Sequence, residues 1–234
     1  MQFSIFDLDR TLTRRGTYFA FLLFAVWKLR PLRLVFLPPI VILMGAHKLN
    51  LVSRRRLKEI MQHLMLGYRI DRSRIAAIVE DFADHQLKRN IYPEAIALLA
   101  SEKAAGRRIV IATAAHRFYA SAIAARLGAD DLIATESLVR DEYLLAGIAG
   151  DNCYADAKRD RIALWLRQAG CTRADAHIRF FSDDASDRPT FEWCDEPVAV
   201  NPHGRLFSLA TRNAWRVFDW RLTGSPSRKA VQPA

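Results

Sequence analysis

The chain has 234 residues, 51% of them hydrophobic and 26% charged, which excludes a disordered or fibrous polypeptide and fits one sizeable domain, or one domain with a smaller insert. Lys and Arg number 35 against 25 Asp and Glu, a formal charge of +10, so an anionic partner is expected: nucleic acid, a phosphate compound or an anionic membrane. The three cysteines, Cys153, Cys171 and Cys194, are odd in number and form no CxxC pair; they read as reduced thiols rather than a disulfide framework.

In chain order, the apolar run "FSIFDL" reads as a buried parallel strand. No secretory signal precedes it, and the expected location is the cytoplasm. Residues 14–88 read as helical, without strand alternation. "PEAIALLASEKAAG" begins on Pro93 and stops at Gly106, as helices do. "RRIVIAT" then gives a buried strand ending at Thr113, "HRFYASAIAARLG" a helix and "DLIAT" a short strand. "AKRDRIALWLRQAG" is a helix, "IRFFSDD" a strand ending in acids, "EPVAVNP" a strand, "GRLFSLATRNA" a helix and "WRVFDW" the last strand. Residues 223–234 read as a flexible tail. Strands alternating with helices from about residue 90 imply an α/β fold: a Rossmann-like, doubly wound parallel sheet. The discontinuous core takes residues 1–13 and 89–222, and a helical cap, 14–88, is inserted after the first strand.

In such a sheet ligands collect at the carboxyl ends of the strands, where the strand order reverses. Polar residues sit at those ends: Asp7 and Asp9, Thr113, then Asp183, Asp184 and Asp187, with Lys158 opening the helix between the last two groups. Gathered carboxylates are costly unless a cation neutralises them. Oxygen donors without His or Cys favour Mg²⁺.

"DLDRTLT", the strand ending in Thr113, Lys158 and "SDDASD", in this order, resemble the four motifs of the haloacid dehalogenase superfamily. The insert directly after the first motif is similar to its phosphoserine-phosphatase-like branch, subfamily IB. The resemblance implies a Mg²⁺-dependent phosphomonoester hydrolase with an aspartyl-phosphate intermediate. It assigns Asp7 as nucleophile and Asp9 as general acid and base. It places the metal on the Asp7 side chain, the Asp9 carbonyl and Asp183. Thr113 would contact the substrate phosphate, and Lys158 would neutralise charge; Ala114, His116 and Arg117, just past that strand end, are pocket or phosphate contacts by position. Asp187 would orient Lys158 or a metal-bound water. Asp184 is an additional outer acid or a turn residue. Phosphoserine phosphatases carry a Glu nine residues after the nucleophile, whereas this chain has Gly16.

The insert opens with two apolar runs around a basic hinge of Lys28, Arg30 and Arg33, followed by Lys48, Arg54, Arg55, Arg56 and Lys58. Neither run reaches the roughly 20 residues of a membrane span, and Pro38-Pro39 is read as breaking the second. Two readings stand. One is an interfacial hairpin on the inner face of the membrane, meeting anionic lipid; the other is an apolar pair buried in the cap or between copies. The pattern "RPLRLVFLPPIVILMGAHKLNLVSRR", with "FFSDDASDRPTFEWC", resembles the bacterial phosphatidylglycerophosphatase C enzymes, which implies a lipid phosphate; a soluble small-metabolite phosphatase is the alternative. Nucleic acid is not expected, because the basic residues surround apolar runs instead of interleaving with stacking aromatics.

Overall fold

The computed structural model describes residues 1–222; the tail expected at 223–234 lies outside the described residues. Eight strands form one sheet: β1 (Gln2–Phe6), β2 (Arg69–Asp71), β3 (Arg108–His116), β4 (Asp131–Arg140), β5 (Tyr143–Ala149), β6 (His177–Ser182), β7 (Glu196–Val200) and β8 (Arg216–Phe218). Their order is β2-β5-β4-β3-β1-β6-β7-β8. From β4 to β8 every neighbouring pair is parallel. The chain leaves β1 for β3 on one side and later crosses to β6 on the other, so the order reverses at β1, where the C-terminal ends form a crevice.

The antiparallel edge departs from expectation. The strand expected at Asp131–Thr135 continues to Arg140 and pairs with β5 as a hairpin turning at Asp141, whose φ is +53°. Its outer partner, β2, is a three-residue strand inside the stretch read as wholly helical.

The helices are α1 (Thr17–Leu29), α2 (Leu37–Lys48), α3 (Arg54–Leu66), α4 (Arg72–Arg89), α5 (Pro93–Ala104), α6 (Arg117–Arg126), α7 (Asp156–Gln168), α8 (Arg188–Trp193) and α9 (Gly204–Arg212). A 3-10 turn, Pro31–Phe36, joins α1 to α2. Pro38 and Pro39 do not break the second apolar run. They lie in the first turn of α2, where no backbone N–H is required by the helix.

Two apolar layers sandwich the sheet. On one face Phe6, Ile109 and Ile111 pack with Phe21, Leu22, Phe82 and Tyr119 from α1, α4 and α6. On the other, Phe3, Ile5 and Phe180 pack with Ile162, Leu166 and Phe191 from α7 and α8. The alternation of β1 between these layers fixes its register, since a one-residue slip would exchange the two sets. The hairpin also meets α3: Arg55 donates to the carbonyls of Ile148 and Gly150, and Gln62 to that of Leu145.

Candidate active site

At the C-terminal end of β1 the chain leaves the sheet through a tight loop. Asp7 keeps one sheet hydrogen bond, its N–H donating to the Phe181 carbonyl at 2.8 Å. The Leu12 and Thr13 amides both return to the Leu8 carbonyl at 3.0 Å, and Arg10 turns through φ +62°. Asn201 holds that turn from the β7 end, its Nδ2 donating to the Arg10 carbonyl at 3.3 Å. Asp7 is thereby fixed at the bottom of a cavity of about 160 Å³, large enough for a phosphoryl group.

Asp9, Thr113, Ala114, Lys158, Asp183, Asp184 and Asp187 border the same cavity. Lys158, buried on the first turn of α7, donates from Nζ to Asp7 Oδ1 at 2.9 Å and to Asp187 Oδ2 at 2.5 Å. Ser182 Oγ donates to the same Asp187 oxygen at 2.7 Å. Asp183 is held by Thr11: its N–H donates to Thr11 Oγ1 at 3.0 Å, and that hydroxyl donates to Asp183 Oδ1 at 3.2 Å. The Asp9 carboxylate accepts the Thr17 N–H at 2.7 Å, tying it to the start of α1. Asp184 caps the short turn after β6, accepting the Ser186 N–H at 2.8 Å.

Thr113 is followed by a register shift between β3 and β4, at Thr113–His116. The Ala115 N–H folds back onto Thr113 Oγ1 at 3.0 Å. Two donors pin the Ala114 carbonyl: Thr135 Oγ1 at 2.9 Å and Lys58 Nζ at 2.5 Å. Lys58, from α3, also donates to Asn152 Oδ1 at 2.8 Å. Burial first, and then Arg54, lower its amine to about 7.

The electrostatics are those of a site short of positive charge. Burial raises Asp7 to about 7, opposed by Lys158 and reinforced by Asp187 and Asp9. Burial likewise raises Asp183 to about 8, with the charges of Asp7 and Asp184 adding to it. Asp187 Oδ1 is buried with no hydrogen-bond partner. Among the described residues, no three His, Cys, Asp or Glu side chains converge as a metal cluster. The donor set that fits a hard cation is therefore two carboxylates, Asp7 and Asp183, completed by backbone carbonyl and water oxygens. A divalent ion there would relieve both elevated acids.

Arg117 is not part of this cavity. Its guanidinium is bound to Glu136 at 2.5 Å and to the Leu132 carbonyl at 2.9 Å, because the register shift carries the chain past the pocket before α6 begins. His116 is also turned away, its Nδ1 paired with Ser137 at 2.8 Å. Two residues named only as part of the basic run prove to matter. Lys58 reaches the Ala114 loop, and Arg54 lines the cavity while lying 4.0 Å over the Tyr154 ring. A helical face placing positions 54 and 58 one turn apart was the available signal; which way that face points was not in the pattern.

The family model described as haloacid dehalogenase-like hydrolase matches residues 5–192. A probable phosphatase of Mycobacterium tuberculosis is 26% identical over 222 residues, covering 93% of this chain and 75% of its own length. The inhibition of morphological differentiation protein of Streptomyces azureus is 27% identical over 165 residues, and the match spans 70% of this chain but only 58% of that relative. A crystal structure of a protein of unknown function from Bordetella pertussis superimposes with a TM-score of 0.84 at 26% identity, covering 94% of this chain and 98% of that one.

Proposed function

The chain belongs to the haloacid dehalogenase-like hydrolases, and from that membership and the cavity's geometry we infer that it is a phosphatase of phosphomonoesters, with Asp7 as the attacking group. The observation that carries this reading is the buried Lys158 ammonium bridging Asp7 and Asp187 on a wall shared with Asp9, Thr113 and Asp183. Phosphoryl transfer needs positioning and charge neutralisation above all, and that wall supplies both.

Asp7 Oδ attacks phosphorus as the bond to the ester oxygen breaks, giving an aspartyl-phosphate and an alcohol. Asp9, two residues on, gives its proton to the departing oxygen, a contribution of roughly 10²–10⁴-fold. A water then attacks the same phosphorus, Asp9 takes its proton, and Asp7 is released with inorganic phosphate. Thr113 Oγ1 and the Ala114 backbone border the phosphoryl oxygens, and Lys158 balances the charge on Asp7. Mg²⁺, held by Asp7, the Asp9 carbonyl and Asp183, would supply the remaining positive charge on the phosphoryl oxygens.

The substrate reading is a lipid phosphate at a membrane surface. Gly16 borders the cavity and leaves open space where a side chain would stand, and Arg10 and Arg54 line the same cavity. That environment suits a second anionic group, such as the phosphodiester of phosphatidylglycerophosphate, better than an amine. The cap supports the same reading with exposed apolar residues on the 3-10 turn and α2, including Leu32, Val35, Val41 and Ile42. The decisive assay compares phosphate release from an aryl phosphate in solution and from phosphatidylglycerophosphate in vesicles. Both reactions should need Mg²⁺, stop with EDTA and vanish in Asp7→Asn. Activity surviving in Asp7→Asn would refute the mechanism; faster turnover of soluble esters, with none of the lipid, would replace the lipid by a small metabolite.

A further inference from the structure

Away from the active site, the cap holds a second polar cavity, of about 220 Å³, bordered by Leu29, Arg30, Arg69, Ile70, Asp71, Arg74 and Tyr143. Three guanidinium groups thus face one small space. Among the described residues none of the three is ion-paired with a carboxylate. Asp71 is the one acid present: its Oδ1 accepts the Ser73 N–H at 2.8 Å and the Ser73 hydroxyl at 2.6 Å, and these bonds, with the nearby Arg74 charge after them, hold its carboxyl below the usual range, so it offsets one of the three cations. Arg69 sits over the Tyr143 ring, 4.7 Å from its centroid. Gly67 allows Arg30 its position: a Cβ at this residue would stand 2.8 Å from Arg30 Nη1. Arg33 is already committed, donating to the His63 and Leu64 carbonyls at 3.0 Å. Three guanidinium groups against one carboxylate leave the cavity with a net positive charge that an anion would complete, and guanidinium forks match phosphate oxygens in geometry.

The surroundings say which phosphate. The residues following Arg30 are the 3-10 turn, where Leu32 is 90% exposed and Val35 71%. Trp27, three residues before Arg30, and Tyr68, just before Arg69, are exposed too; Trp and Tyr favour the membrane–water boundary. The 18 residues Pro31–Lys48 have a mean hydropathy of 1.2, and only 6% of them are buried in the protein. By length and composition alone Pro31–Lys48 could cross a membrane, but Arg33 within it is tied to the His63 and Leu64 carbonyls of α3, which suits a run lying in the interface against the cap.

We propose that Arg30, Arg69 and Arg74 form a binding site for the phosphate of an anionic lipid headgroup, and that Leu32 and Val35 enter the bilayer beside it, docking the cap on the membrane. This deepens the lipid reading of the active site and rests on it, but uses none of the catalytic residues.

The test is co-sedimentation of the full chain with phosphatidylcholine vesicles, with and without a quarter phosphatidylglycerol, at low and high salt. Wild type should bind only the anionic vesicles and release them as salt rises. Replacing all three arginines (Arg30→Gln, Arg69→Gln, Arg74→Gln) should weaken binding about a hundredfold, at roughly fivefold for each surface cation lost. Leu32→Ser with Val35→Ser should weaken it independently. Turnover of a soluble aryl phosphate should stay unchanged in both variants, which shows that they are folded and makes a failure of docking distinguishable from a failure of catalysis. The proposal is overturned if wild type ignores anionic vesicles, if the glutamine variant binds them as well as wild type does, or if millimolar inorganic phosphate occupies the arginines while vesicles do not.

Discussion

A lysine ammonium buried at the join between cap and sheet should leave a distinct mark on stability. Lys58 is 7% exposed, and its amine falls from 10.5 to about 7 in the folded protein. Below about pH 7 folded and unfolded chains are both protonated, and the fold carries the full cost of the buried charge. Between about pH 7 and 10.5 the unfolded chain binds more protons, so stability rises with pH; above that window the cost is gone. The separation corresponds to about 5 kcal/mol in total, of which about 2 kcal/mol is recovered between pH 7 and 9. Lys58→Met removes the charge, and the single Thr135 hydroxyl proton, within reach of both the Ala114 carbonyl and Asn152 Oδ1, still serves one of the two acceptors that Lys58 leaves. Urea unfolding of both proteins across that range isolates the contribution, because His116, which burial and the Lys58 charge hold well below its usual range, is uncharged there and the other groups are common to both. Wild type should gain on the variant by about 2 kcal/mol over those two pH steps. Parallel stability curves would refute the buried-charge account.

Two further outcomes follow from the same reasoning. Lys158→Met leaves Asp7 and Asp187 facing each other without their shared cation and should cost about 3–5 kcal/mol in denaturant titration at neutral pH; a loss below about 1 kcal/mol would mean the ion pairs are neutral to folding. Ala155, just before α7, has φ +53° and ψ −128°, a region costing about 1–3 kcal/mol for a residue with a Cβ. Ala155→Gly should therefore raise stability by about 1 kcal/mol after the added freedom of the unfolded chain, seen as a rise of about 2–4 °C in Tm, and a lower Tm would contradict it.

What the sequence made legible was the parallel core. Buried parallel strands are continuous apolar runs, and their carboxyl ends must share one edge, so Asp7, Thr113 and Asp183 could be gathered without coordinates. The antiparallel hairpin was less visible: β4 runs on through "ESLVR" with no breaker after Thr135, and its turn uses Asp141 and Glu142 without a glycine or proline. Arg117 was misassigned because proximity in sequence to Thr113 ignored the register shift between them. Lys58 lies 56 positions from Ala114, a separation no local pattern reports. The fate of the apolar insert was undecidable from composition, because hydrophobic helices read alike whether they are covered or bare.

The place of β1 in the sheet has a consequence for biogenesis. Among the strands of this chain the first synthesised is the central one, and its partners begin only at Arg108 on one side and His177 on the other. Until both are synthesised, "FSIF" is an orphan hydrophobic segment with two open edges, the kind of nascent species that aggregates or recruits a chaperone. Closure of loops this long also makes assembly of the sheet slow. The cavity is consequently closed late in synthesis, since Lys158 follows its partner Asp7 by 151 residues.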